Sequence, residues 1–219
     1  MVNRVIRTLV TSDFILNFAF GLLAPIFAVF VLKNVEGSTL RVIGTSATFY
    51  WLARVVSTVP LSKLMDKTDG ERDEYYFVIA GSFIISTIPL FFLLISEAWH
   101  LYLIQFIHGL ANSMTVPSWR ILFTDHLDRG RTGYEWSLED IAIGTSTAAS
   151  AYVGSVIAEK FGFEIVLILL SILSFIATMF LIPLKPYALT LKQLKREQRL
   201  QIIKQKRADT VPIKTEESH

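Results

Sequence analysis

The 219-residue chain contains no cysteine. That excludes disulfides, thiolate nucleophiles and cysteine-ligated metal. Histidine is scarce as well. His100, His108, His126 and His219 are scattered along the chain without a metal-ligand spacing. There is no Gly-x-Ser-Gly nucleophile, no paired aspartates and no HExxH. The chain therefore reads as a non-enzyme that needs no cofactor and no metal and has no nucleic-acid partner. Charge is also in short supply: only 18% of residues are charged, whereas 52% are hydrophobic. A soluble domain of ordinary composition carries about 25% charged residues. No ten-residue alternation appears, which excludes a membrane β-barrel. The first apolar segment lacks a small-x-small cleavage site and reads as a retained span.

The apolar residues that dominate come in blocks of about 20, the length a helix needs to cross about 30 Å of hydrocarbon. Six spans are predicted: Phe14–Leu32, Leu40–Leu61, Tyr75–Ile95, Trp99–Leu122, Ser137–Ala158 and Phe163–Leu184. Backbone amides in lipid must be bonded within their own segment, so each run is read as a helix. Seventeen basic residues fall on one side of this layout and three on the other, with Arg54 inside a span. This bias predicts a multi-pass protein of the cell membrane with both termini cytoplasmic. The predicted domain is residues 1–186, followed by a basic cytoplasmic tail, 187–219, that is partly helical or disordered.

The spans differ in polarity. The third and sixth carry no charge, amide or imidazole, and are expected to face lipid. The others carry groups that must be hidden or hydrated: Asn17 in the first, Arg54 in the second, and Gln105, His108 and Asn112 in the fourth. The last three recur at three- and four-residue intervals, on one helix face. They line an aqueous path or hydrogen-bond between helices. Arg54 either snorkels to the headgroups or binds an anion or carboxylate. Glu139 and Asp140 read as a helix cap after Ser137 or as buried carboxylates, and Asp13 reads as a helix start. Gly144, Ala148, Ala151 and Ser155 form a small-residue face suited to close helix approach.

The charges concentrate in one connection, Leu61–Glu74, LSKLMDKTDGERDE, between the second and third spans. This loop resembles the signature of the major facilitator superfamily, approximately G-x-L-x-D-R-x-G-R-R, at Leu64, Asp66 and Lys67. Gly70 and Arg72 follow one position late. His108-Gly109 is similar to the family's glutamine-glycine pair, and Gln105 stands at the place of its arginine. The run YVGSVIAEKFGFEIVL resembles the end of the family's fifth helix and the start of its sixth. The resemblance covers about Thr8 to Pro186.

It implies an all-α fold: six transmembrane helices forming one half bundle, a 3+3 inverted repeat. It also implies that Asp66, Lys67, Gly70 and Arg72 act as a cytoplasmic gate, with Asp125 or Asp128 as acidic counterparts; the alternative is a topology determinant. Family members usually carry two such halves. The expected function is a half-size secondary transporter moving a small-molecule substrate by alternating access. It would work in the lipid bilayer as a parallel homodimer, with Asn17, Arg54, Gln105, His108 and Asn112 along the substrate pathway. The alternatives are a non-transporting membrane scaffold or regulator, or one half of a split transporter with a different partner.

Overall fold

The computed structural model describes residues 2–65 and 70–188, and every regular element among them is helical. The tail beyond Ala188 and the positions of Asp66 and Lys67 lie outside the described residues. Asn3 starts the first helix by accepting a hydrogen bond from the Ile6 amide at 2.9 Å on its side-chain oxygen. Helix α1 then runs Arg4–Gly21. Pro25 has no amide to continue it, so the chain makes a 3-10 turn, Ala24–Ile26, before α2, Phe27–Asn34. The first span is thus one broken rod that begins ten residues before the predicted start at Phe14. The reason is that Asn3 supplies a cap the hydropathy pattern does not register.

The remaining helices are α3 (Leu40–Met65), α4 (Glu71–Phe92), α5 (Ala98–Asp125), α6 (Thr132–Phe161) and α7 (Phe163–Leu181). Four spans are long and apolar enough to cross a membrane by composition alone: α1 with α2, α4, α6, and α7 with its terminal turn. The other two, α3 and α5, have 26 and 28 residues. At about 1.5 Å per residue they are long enough to span, but their polar residues lower their hydropathy. Pro60, Pro89 and Pro117 sit inside helices, as neighbouring helices in a membrane bundle permit. A single glycine, Gly162 at φ 86°, separates α6 from α7.

The packing follows an inverted repeat. Helix α3 packs on α5 as α6 packs on α1; α4 packs on α5 as α7 packs on α1; and α4 and α7 pack on each other. Two glycines set the closest approaches of one helix to another's backbone. A side chain at Gly109 of α5 would overlap the Tyr50 carbonyl of α3, and one at Gly154 of α6 would overlap the Leu22 carbonyl at the end of the α1 rod. The buried stripe of α6 is Ala142, Ser146, Ser150 and Gly154. Gly144 and Ala148 are exposed instead, so the small face expected from the sequence is rotated away from the contact. Helix α6 turns toward α1 the stripe on which small residues recur every four positions.

Helices α4 and α7 form the back of the bundle. Ser171 donates to the Ser86 carbonyl at 2.7 Å, and the Ser86 and Thr178 hydroxyls lie 3.2 Å apart. Ser12 of α1 donates to the Ala177 carbonyl at 2.8 Å. These bonds satisfy hydroxyls that lipid could not. The outward faces of the two helices remain apolar, as at Phe83 and Ile172. One apolar cluster closes each end of the bundle: Phe30, Phe92, Leu101 and Leu167 at one, Val5, Val78, Phe123 and Leu181 at the other.

Candidate functional site

The repeat leaves a cleft between two walls. Helices α1 and α6 make one wall, α3 and α5 the other, and no substantial contact joins α3 to α6. A cavity of about 440 Å³ occupies the cleft. Asp13 and Asn17 reach it from α1, Glu139 from α6, Arg54 from α3, and Asn112 and Arg120 from α5. The back helices are not merely a lipid shield, because Ser82 and Ile85 of α4 and Ala177 and Thr178 of α7 form the cavity floor.

A second, mostly apolar pocket of about 330 Å³ lies further toward the opposite end of the bundle, lined by Phe27, Ala47, Phe92 and Gln105 among others. Phe20, Tyr50 and His108 line both. Their rings form a layer between the two spaces: His108 stacks on Phe20 at 5.5 Å and meets Tyr50 at 5.2 Å, centroid to centroid. Helix α5 delivers His108 there because Gly109, its neighbour, lets α5 approach the α3 backbone at Tyr50.

Of the residues singled out from sequence, Asn17, Arg54, His108 and Asn112 line the larger cavity, and Gln105 lines only the smaller. Asn17 donates to the Asp13 carbonyl at 2.9 Å and to its carboxylate at 2.6 Å. Asn112 donates back to the His108 carbonyl at 3.1 Å. Arg54 donates to the Tyr50 hydroxyl at 3.1 Å and lies over the Trp51 ring at 5.1 Å.

Asp13 and Glu139 occupy positions other than the expected helix ends. Helix α6 begins at Thr132, so Glu139 lies two turns inside it, 4% exposed. Ser137 donates to the Gly133 carbonyl within the helix rather than capping it. Asp13 lies mid-helix in α1 and lines the same cavity as Glu139. One sequence signal pointed this way: Glu135 and Glu139 head the buried stripe of Ala142, Ser146, Ser150 and Gly154 at three- and four-residue spacing.

At the end holding the start of α1, Gly70 precedes α4 with φ 73°, and Arg72 is exposed. Asp125 is exposed, whereas Asp128 accepts from the Asn3 side chain at 3.5 Å. Buried acids that sequence reading passed over also gather here. Glu71 lies 4.0 Å from His126, and Glu135 accepts from the Asp128 amide at 3.0 Å. No group of three metal-binding side chains occurs among the described residues.

Two walls around a polar cleft, related by an inverted repeat and backed by a helix pair, make the half-bundle architecture of polytopic membrane transporters. The sequence matches the family model of the Major Facilitator Superfamily over residues 9–214, and the chain belongs to that superfamily. Among solved structures it is similar in fold to the POT family transporter PepTSo, with a TM-score of 0.70 and 16% identity. The match covers 86% of this chain and 38% of that one. No curated protein matches.

Proposed function

We propose that this chain is a six-helix half of a secondary transporter that moves a small solute by alternating access. The observation that carries this reading is the pair of spaces divided by one ring layer. The larger cavity holds the charged groups and extends toward the end where α1 starts and α7 finishes, at Arg120 and Leu181; the smaller lies beyond Phe20, Tyr50 and His108. A solute held among Asn17, Arg54 and Asn112 would pass Gln105 when that layer parts. Alternating access needs such a site with a constriction on one side of it.

The cleft also needs closing, because Asn17, Arg54 and Asn112 face it. The surfaces that flank it can receive a partner: on α3, Trp51, Leu52, Val55, Val56 and Val59 are each more than half exposed, and on α6 Tyr152 is 75% exposed. A second copy in parallel orientation, related by a two-fold axis along the membrane normal, sets the α3 of each against the α6 of the other. One operator thereby closes both sides of the cleft. The gate reading belongs to the same picture: Asp66, Lys67, Gly70 and Arg72 would hold the cytoplasmic ends of the two units in one of the two conformations. The basic-residue bias supports a cell-membrane protein with both termini cytoplasmic.

The native chain has no cysteine, so single cysteines give a direct test in sealed, oriented vesicles. Asn17→Cys and Asn112→Cys are expected to react with a membrane-impermeant thiol reagent, and Ile172→Cys, on the lipid face, is expected not to. Cysteines replacing Val55 and Tyr152 are expected to crosslink between copies. Equal reactivity at all three positions removes the aqueous pathway. Absence of crosslinks, with labelling intact, removes the second copy and leaves a different partner half.

A further inference from the structure

The larger cavity holds acids and bases that do not meet. On one wall the Asp13 and Glu139 carboxyls line the cavity together, from α1 and α6, and Glu139 Oε2 has no donor among the described residues. Two neighbouring carboxyl groups need a hydrogen or a cation to hold them side by side. The Asn17 amide answers only one Asp13 oxygen. On the other wall stand Arg54, half-buried, and Arg120, at an exposed position, and neither has a carboxylate within 4 Å among the described residues. Among the described residues the Arg54 guanidinium donates only to the Tyr50 hydroxyl, so most of its five N–H groups have no acceptor there. Between the walls, Ser82 Oγ and Trp119 Nε1, from residues that both line the cavity, are buried without a hydrogen-bond partner among the described residues.

Buried charge within a membrane is retained only where something offsets its desolvation. Salt bridges across the cleft would do so, but the structure instead keeps a cavity of about 440 Å³ between the opposite charges. An anion alone answers the guanidiniums and leaves the carboxyls; a cation alone does the reverse. A solute carrying both charges answers both walls at once.

We infer that the cavity binds a small dipolar solute, an ammonium and a carboxylate joined by a short spacer. Its cationic end goes to Asp13 and Glu139, and its anionic end to Arg54 and Arg120. The carboxylate-guanidinium end provides planar, bidentate recognition, and the ammonium supplies the donors that the two carboxyls lack. Ser82 and Trp119 are the neutral donors along the spacer. This assignment names the substrate class of the transporter proposed above and rests on that reading for its biological meaning, but binding can be measured without transport.

The test is an equilibrium titration of the purified full chain in lipid nanodiscs, read by intrinsic fluorescence, since Trp119 and Trp136 line the cavity. The probes are ω-amino acids of increasing spacer length, from glycine to 6-aminohexanoate, each beside its N-acetyl and primary-amide forms. At least one length is expected to bind about tenfold or more tightly than both of its capped forms, because each cap leaves the charged groups of one wall unanswered. Asp13→Asn combined with Glu139→Gln is expected to abolish the preference over the N-acetyl form only. Arg54→Gln is expected to abolish the preference over the amide form only. Equal binding of N-acetyl and free forms means that a proton already occupies the acid pair, and it overturns the inference; so does absence of binding by every probe. Binding without uptake into vesicles strikes the transport reading and leaves this one standing, whereas uptake of a singly charged solute does the opposite.

Discussion

Helices α6 and α7 adjoin through one glycine, yet the bundle covers them unequally, and neither as fully as water would demand. In the most apolar stretch of α7, 44% of the residues are buried inside the bundle, and in that of the less apolar α6 only 22%. In water a helix as apolar as α7 would be buried nearly all round. In lipid, apolar surface needs no cover, and association follows close packing and polar satisfaction instead. Helix α7 is therefore held by Ser171 and Thr178 along its inner face, with Ile172 and Met179 left to lipid. Helix α6 is held by a narrow stripe ending at Gly154, and Trp136, Glu139 and Ile143 beside it border the cleft. Exposure on α7 is an apolar face suited to lipid; exposure on α6 includes the edge of the cleft.

The largest expected effect comes from the close approaches. Gly109→Val and Gly154→Val each force a helix away from its neighbour's backbone, at a cost of about 3 kcal/mol or more. Loss of the monodisperse, folded chain in size-exclusion chromatography after membrane extraction checks this. Gly144→Val, on the same helix as Gly154 but with open space around it, is expected to change stability by no more than about 0.5 kcal/mol. If Gly144 proved as sensitive as Gly154, the contrast between the two faces of α6 would fail.

Next in size is Ala148→Trp, on the exposed face of α6. It is expected to leave the six-helix unit folded and to lower the crosslinking yield between copies several-fold. Ile176→Trp, on the exposed face of α7, is expected to leave that yield unchanged. The smallest effect belongs to the seam between α4 and α7. Ser171→Ala removes one interhelical hydrogen bond, worth about 0.6 kcal/mol in a bilayer, a modest shift in thermal unfolding. A larger loss would mean that hydrogen bonding, rather than close packing, holds the back of the bundle.

Much of the fold was legible in sequence because the bilayer is a demanding solvent. Six runs of sufficient length, punctuated by charged connections, leave few arrangements. The polarity of Asn17, Arg54, His108 and Asn112 against the plain third and sixth spans separated cleft helices from back helices, although not the floor that Ser82 and Thr178 contribute. Glu139 was not legible in the same way. Ser137-Leu138-Glu139-Asp140 has the local chemistry of a helix start, and nothing in those four residues says that the helix is already five residues old. Asp13 was obscured likewise, because Asn3 caps a helix that begins before the apolar run. The small face of α6 was displaced by rotation: Gly144 and Gly154 look alike in sequence, and only the position of the α1 rod distinguishes them.

Hydropathy, helix length and the distribution of basic residues were sufficient for the membrane class, the number of spans and their separation into polar and apolar kinds, because each depends on composition along one segment. The pairing of Asp13 with Glu139 at one cavity, the separation of that pair from Arg54 and Arg120 by that cavity, and the ring layer of Phe20, Tyr50 and His108 were decided only by the tertiary structure. Each joins residues from different helices, and their meeting depends on how closely two glycines let those helices approach.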